Sequence, residues 1–206
     1  FSPSELLAEV DETGEAINRQ QTLQQFATPP ELALRMARVA GIVPALTEPR
    51  PRVLEPSAGL GALVSVALDA GCTVDAVEID GRSVDQLEIA FGPAIDAGRL
   101  RLFNTDFLSW LERTPTLLYG VILMNPPFSS GQDAAHIRAA YRWLAPGGRL
   151  VAIASPHWEF ATDKRSAEFR AFLADHWSVV RVLPSGTFKA SGTLVPSRLI
   201  EIRRDA

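Results

Sequence analysis

The chain has 206 residues, 47% apolar and 21% charged, with a formal net charge of −4 at pH 7 and a single cysteine. These proportions describe an ordinary globular domain and exclude a disulfide scaffold, a collagen-like chain and a disordered tail. No apolar stretch approaches the roughly 18 uncharged residues that span a bilayer, and the start FSPSELLAEVDETGEAINRQ lacks the basic and apolar regions of a signal peptide. The expected compartment is therefore the cytoplasm, with no membrane partner.

Residues 1–27 are polar and Gln-rich and begin at Phe rather than Met. They read as an N-terminal arm or as a trimmed fragment. At Thr28-Pro29-Pro30 the pattern becomes that of a helix entry, followed by Leu32, Met36, Val39 and Ala40 at helical spacing and closed by Gly41. Short apolar strands then alternate with amphipathic helices. The strands are expected at Arg52–Glu55, Thr73–Glu78, Arg99–Phe103, Tyr119–Met124, Leu150–Ala154, Ser178–Leu183 and Leu194–Arg203. Between them, helices bury Leu60, Leu63, Val64, Ala67 and Leu68; Val84, Leu87 and Phe91; Ile137, Ala140, Tyr141 and Leu144; and a face around 167–173, with Pro146-Gly147-Gly148 as a helix-ending turn.

This alternation predicts a mostly parallel sheet of seven strands with helices on both faces. The last two strands are too close for a helical crossover, so one of them runs antiparallel at or near an edge. Residues 28–206 are expected to form a single domain, with no separate target-recognition domain visible. Charge is uneven: residues 1–134 carry nine Lys/Arg against eighteen Asp/Glu, and residues 135–206 carry eleven against six. The basic surplus toward the C-terminus suits a phosphate-bearing partner.

Candidate chemistry collects after the strands. Glu55-Pro56-Ser57-Ala58-Gly59-Leu60-Gly61 joins the first strand to a helix, where glycines admit a ligand close to the backbone and free amides favour electronegative groups. Glu78 ends the second strand 19 residues after Gly59, where doubly wound folds place an acid for ribose hydroxyls. Val64 stands where a dinucleotide fingerprint needs its third glycine, which makes NAD or FAD the lesser reading. Asn104-Thr105-Asp106-Phe107 offers a carboxylate for an amine and an aromatic face for a purine. Asn125-Pro126-Pro127-Phe128 follows the very apolar fourth strand. Its two prolines remove N–H donors and free local carbonyls, so that the Asn oxygen and a carbonyl can accept from one planar NH2 group while Phe128 stacks on the ring that bears it. Cys72 reads as a small buried hydrophobe, and His136, His157 and His176 have no metal-site spacing, so no metal is expected.

QFATPPE, EPSAGLG, VEID, NTDF and NPPF, in that order, resemble the motifs of amino-group DNA methyltransferases of the adenine-N6 class in their gamma arrangement. The likeness covers roughly residues 25–204. It implies a class I methyltransferase fold related to the Rossmann fold, S-adenosylmethionine as cofactor, and methyl transfer to N6 of adenine in DNA after base flipping. By the same resemblance Thr28 and Pro29 pack near the methionine moiety, Glu55, Ser57, Ala58, Gly59 and Gly61 line methionine and ribose, and Glu78 accepts from both ribose hydroxyls. Asp106 accepts from the cofactor's adenine amine, with Ile79 and Phe107 flanking the ring. Asn125, the Pro126 carbonyl, Pro127 and Phe128 hold the target base, with Asn125 also bordering the cofactor. Phe188 could add a second aromatic contact, Lys164, Arg165, Lys189 and Arg198 could meet phosphates, and Gly131-Gln132 could form a lip over the substrate. An adenine in RNA or a protein glutamine presents the same planar amine, and a non-catalytic accessory subunit that binds S-adenosylmethionine is the reading from another class. The chain is expected to act as a monomer or with a specificity subunit.

Overall fold

In chain order the computed structural model contains α1 (Pro30–Val39), β1 (Arg52–Glu55), α2 (Ala62–Asp69), β2 (Thr73–Glu78), α3 (Gly81–Asp96), β3 (Leu100–Asn104), α4 (Phe107–Arg113), β4 (Tyr119–Met124), α5 (Gln132–Tyr141), β5 (Leu144–Ala154), α6 (His157–Phe160), α7 (Lys164–Asp175), β6 (Ser178–Val182) and β7 (Arg198–Arg203). The described residues are 27–43, 49–115, 117–189 and 194–206, so the expected arm, apart from Ala27, lies outside them.

One seven-stranded sheet runs in the order β3-β2-β1-β4-β5-β7-β6. All pairs are parallel except those of β7, which is antiparallel to both β5 and β6. The expected reversal is thus one strand in from the edge. Alternation along β4 separates the two faces: Val121 and Leu123 join a core cluster with α1, α2 and α3, while Ile122 and Met124 join a second cluster with α4, α5 and α7. Because β2 and β3 extend to one side of β1 and β4 begins on its other side, the strand order reverses between β1 and β4. Open α/β sheets place ligands in the crevice beyond the strand ends at such a point.

Three helices begin with the same device. Asp80 accepts a hydrogen bond from Ser83 N at 3.1 Å to start α3, Asp106 accepts from Ser109 N at 2.8 Å to start α4, and Asp163 accepts from Ser166 N at 3.0 Å to start α7. Below the site, Asp75 on β2 is fully buried and receives two bonds each from Arg52 and Arg101 and one from Tyr119 Oη at 2.6 Å. Burial alone would raise its carboxyl, but the Arg101, Arg52 and Tyr119 hydrogen bonds outweigh that and hold it below the usual carboxylate range.

Several expectations differ from the structure. Pro146-Gly147-Gly148 does not end a helix: β5 begins earlier, at Leu144, and the register against β4 jumps from Tyr119↔Leu144 to Val121↔Arg149, so these residues bulge out of a continuous strand. Gly147 N donates to Arg204 O at 3.0 Å, which anchors the bulge to the chain end. Leu60 lies 57% exposed in the turn before α2 rather than on its buried face. The NTDF segment opens the short helix α4. Phe91 is only half-buried and has non-helical torsions, with Pro93 unable to donate two residues on, so α3 is kinked there. The final strand starts at Arg198, not near 194.

Candidate active site

The turn after β1 reaches the crevice through two left-handed glycines, Gly59 (φ +51) and Gly61 (φ +83). At Gly61 a Cβ would stand 2.6 Å from the Leu87 and Phe91 side chains, so the residue is needed both for its torsion and for the approach of α2 to α3. At Gly59 a Cβ would meet nothing within 4 Å, because that position faces open space.

Two buried carboxylates flank the turn. Glu78 ends β2, accepting from Gly59 N at 2.7 Å and from Asp80 N at 2.8 Å. These two backbone amides, one to each oxygen, fix the orientation of the carboxylate. Glu55 ends β1 and accepts from Ser57 N at 3.0 Å through Oε1, while Oε2 is buried without a partner. Burial pushes the Glu55 carboxyl well above its ordinary range, the Ser57 amide opposes this, and the nearby Glu78 charge adds to it. Asn104 ties β3 to β2 by donating to Glu78 O at 3.0 Å and Ile79 O at 3.2 Å.

Across the crevice, Asn125 Nδ2 donates to Thr28 Oγ1 at 3.1 Å, which ties the end of β4 to the entry of α1. Thr28, Glu55, Ser57, Ala58, Gly59, Glu78, Ile79, Asp106, Phe107, Asn125 and Pro127 all border one cavity of about 470 Å³. Such a volume suits a small-molecule cofactor. Pro29, Gly61, Pro126 and Phe128 do not border it: Pro29 precedes α1, Gly61 packs against α3, Pro126 is buried, and Phe128 rests half-buried against the first core cluster.

His136 also lines the cavity, a role its sequence gave no reason to suspect. It follows Gln132 by one helical turn on α5, so both reach the same wall. Its ring meets Phe107 edge-on at 5.6 Å, and Nδ1 is buried without a partner. Burial lowers its pKa, opposed by the charges of Asp106 and Asp133, so the ring is neutral at neutral pH. Of the other candidates, Phe188 is a core residue, Arg198 is forked onto Glu159 at 2.7 and 2.6 Å, and Lys164, Arg165 and Lys189 are exposed. Among the described residues no three His, Cys, Asp or Glu cluster as metal ligands, and no helix is long and apolar enough to cross a membrane.

The sheet order, the glycine turn after β1 and the acid ending β2 form the class I methyltransferase fold, and with the family match over residues 41–174 they make the chain a methyltransferase that uses S-adenosylmethionine. The residues suit that cofactor: the oriented buried acid Glu78, Gly59 with open space above it, and Glu55, whose Oε2 has no partner, border one cavity of suitable size. The chain belongs to the methyltransferase small domain family, whose sequence model matches residues 41–174. It is 36% identical over 91 residues to the ribosomal RNA small subunit methyltransferase A of Leifsonia xyli, a match covering 43% of this chain and 31% of that protein. Among solved structures it resembles the type I restriction-modification methyltransferase subunit of Streptococcus thermophilus (TM-score 0.73, 18% identity, covering 88% of this chain and 45% of that one). It also resembles TrmN of Thermus thermophilus (TM-score 0.60, 22% identity, covering 85% of this chain and 48% of that one).

Proposed function

We propose that this methyltransferase acts on the exocyclic N6 amine of adenine in nucleic acid, with DNA as its substrate, after the base has swung out of the helix. The observation that carries the reading is Asn125 at the end of β4, with Nδ2 held by Thr28 and two prolines beside it. An aromatic amine has its lone pair delocalised into the ring. Acceptors placed around its two hydrogens favour a pyramidal nitrogen and disperse the positive charge that develops as a methyl group arrives. Asn125 Oδ1 and the Pro126 carbonyl are assigned those acceptor roles, and Phe128 the face on which the base rests. S-adenosylmethionine, when bound, supplies an activated methyl group on a sulfonium.

In this reading Glu78 holds the ribose hydroxyls, Glu55 and the Ser57–Gly61 turn meet the methionine end, and Asp106, Ile79 and Phe107 surround the adenine ring. Their shared purpose is to fix the methyl group in line with the amine, because positioning accounts for much of such a transfer. Residues 28–206 act as one catalytic domain. RNA adenine is a second reading, favoured by the ribosomal RNA relative that matches over 91 residues. Supplying labelled S-adenosylmethionine with DNA, RNA or protein and digesting the products separates these substrates. Label in N6-methyldeoxyadenosine is expected, and label in protein alone would reject the nucleic-acid reading.

A further inference from the structure

We propose that the segment joining β5 to α7 docks the nucleic-acid strand beside the target base, with Phe160 stacking on a neighbouring base and Lys164 and Arg165 meeting the phosphates. The inference rests on the nucleic-acid reading above and adds a substrate-binding element distinct from the cofactor cavity.

The segment stands in the right place. β5 runs parallel to β4, so its C-terminal end opens on the same edge of the sheet as Asn125. Ser155, the first residue beyond β5, is locked to α5 through the buried carboxylate of Asp133, which accepts from both Ser155 N and Ser155 Oγ at 2.8 Å. Asp133 adjoins Gln132, a wall residue of the cofactor cavity. A second cavity of about 540 Å³ opens here, bordered by Gly131, His157, Trp158, Lys164 and Arg165. Trp158 is itself buried, and its Nε1, which can only donate, has no partner.

The segment is also built to hold its shape. α6 turns Trp158 inward and leaves Phe160 78% exposed. Arg170 on α7 donates to the Trp158 and Ala161 carbonyls on either side of Phe160, the latter at 2.8 Å. From the sheet, the Arg198 fork grips Glu159. Two guanidiniums thus fix a four-residue helix that exposes, besides His157, an aromatic ring that the core does not use. Fixing a binding side chain in advance reduces the ordering cost of association.

Charge favours a polyanion over an apolar protein surface. Arg198 neutralises Glu159 and Glu168 is held by Arg138 at 3.0 Å, so Asp163, which stays ionised as the α7 cap, is outnumbered by the adjacent Lys164 and Arg165. Lys164 is 90% exposed and 3.8 Å from Glu168, an exposed pairing that is weak enough to be exchanged for a phosphate. An aromatic platform beside exposed cations is the arrangement by which proteins hold single strands without reading their sequence.

The test uses the full chain and a fluorescently labelled adenine-containing oligonucleotide, single-stranded and duplex, in DNA and RNA forms, followed by anisotropy. Phe160→Ala is expected to weaken binding about ten-fold, and Phe160→Trp to stay within about two-fold of the parent. Replacing Lys164 and Arg165 by Ala should reduce the slope of log affinity against log salt by about 1.5. Affinity for S-adenosylmethionine and the melting temperature should not change in any of these variants. If the parent binds oligonucleotide and Phe160→Ala binds it equally well, or if Phe160→Trp is as weak as Phe160→Ala, the docking role is overturned while the catalytic reading stands. If the parent binds neither DNA nor RNA, both fall together.

Discussion

Glu55 and Asn125 show how single residues carry opposite burdens in this site. Glu55 keeps one carboxylate oxygen without a partner in a buried position, an arrangement that costs free energy in the ligand-free protein. Its folded-state pKa is raised, so the penalty is absent at acid pH and grows as pH rises from the ordinary carboxylate range through the raised value. Glu55→Gln is therefore expected to raise the melting temperature of the ligand-free protein at pH 8 more than at pH 5, while weakening S-adenosylmethionine binding at least ten-fold, about 1.4 kcal/mol. Differential scanning fluorimetry and calorimetry read the two effects separately. Asn125→Ala should reverse the pattern, lowering kcat by about 100-fold or more, in line with loss of a transition-state acceptor, while cofactor affinity stays within about two-fold. Unchanged turnover in a single-turnover assay would reject the role given to Asn125.

At the scale of elements, the network around Asp75 ties β2 to β1, β3 and β4 beneath the cavity. The depressed pKa of Asp75 contributes stability that is fully present above the ordinary carboxylate value near 4 and is lost as pH falls through the depressed value. Urea denaturation at pH 7 and at pH 3 should show that acid loss, and Asp75→Asn should flatten it. Tyr119→Phe removes one buried bond to a charged acceptor and should cost about 1.5–3 kcal/mol at pH 7. What was legible in the sequence, and what was not, follows the same division. EPSAGLG, VEID and NPPF are contiguous and sit at strand ends, so local pattern alone places Glu55, Glu78 and Asn125. The Asp75 network joins residues 23, 26 and 44 positions apart, beyond any local pattern. His136 reaches the cavity only because α5 packs beside α4, and its lone imidazole in an alanine-rich helix looks like any packing residue. Pro146-Gly147-Gly148 carries an ordinary turn signature, and only pairing across β4 and β7 makes it a bulge. The short helix α4 was hidden for want of length, although its Asp106-x-x-Ser109 start repeats the device seen at Asp80 and Asp163.

For the whole molecule, a net charge of −4 is the sum of an acidic stretch, residues 1–134, and a basic one, residues 135–206. Glu55, Glu78 and Asp106 face the cavity, whereas Lys164, Arg165 and Lys189 are exposed on segments that follow β5 and β6. If the substrate is a polyanion, kcat/KM should fall steeply between 50 and 200 mM salt, by about ten-fold or more for two or more phosphate contacts. A flat profile would point to a protein substrate. The fold, with strand order reversing between β1 and β4, brings both halves to one edge of the sheet. The most direct measurement of the central claim is digestion to nucleosides, with mass spectrometry, of DNA and RNA incubated with the protein and isotopically labelled S-adenosylmethionine. The account predicts the label in N6-methyldeoxyadenosine, absent when Asn125 is replaced by Ala. A protein that binds S-adenosylmethionine yet labels no N6-methylated adenine in DNA or RNA would contradict it.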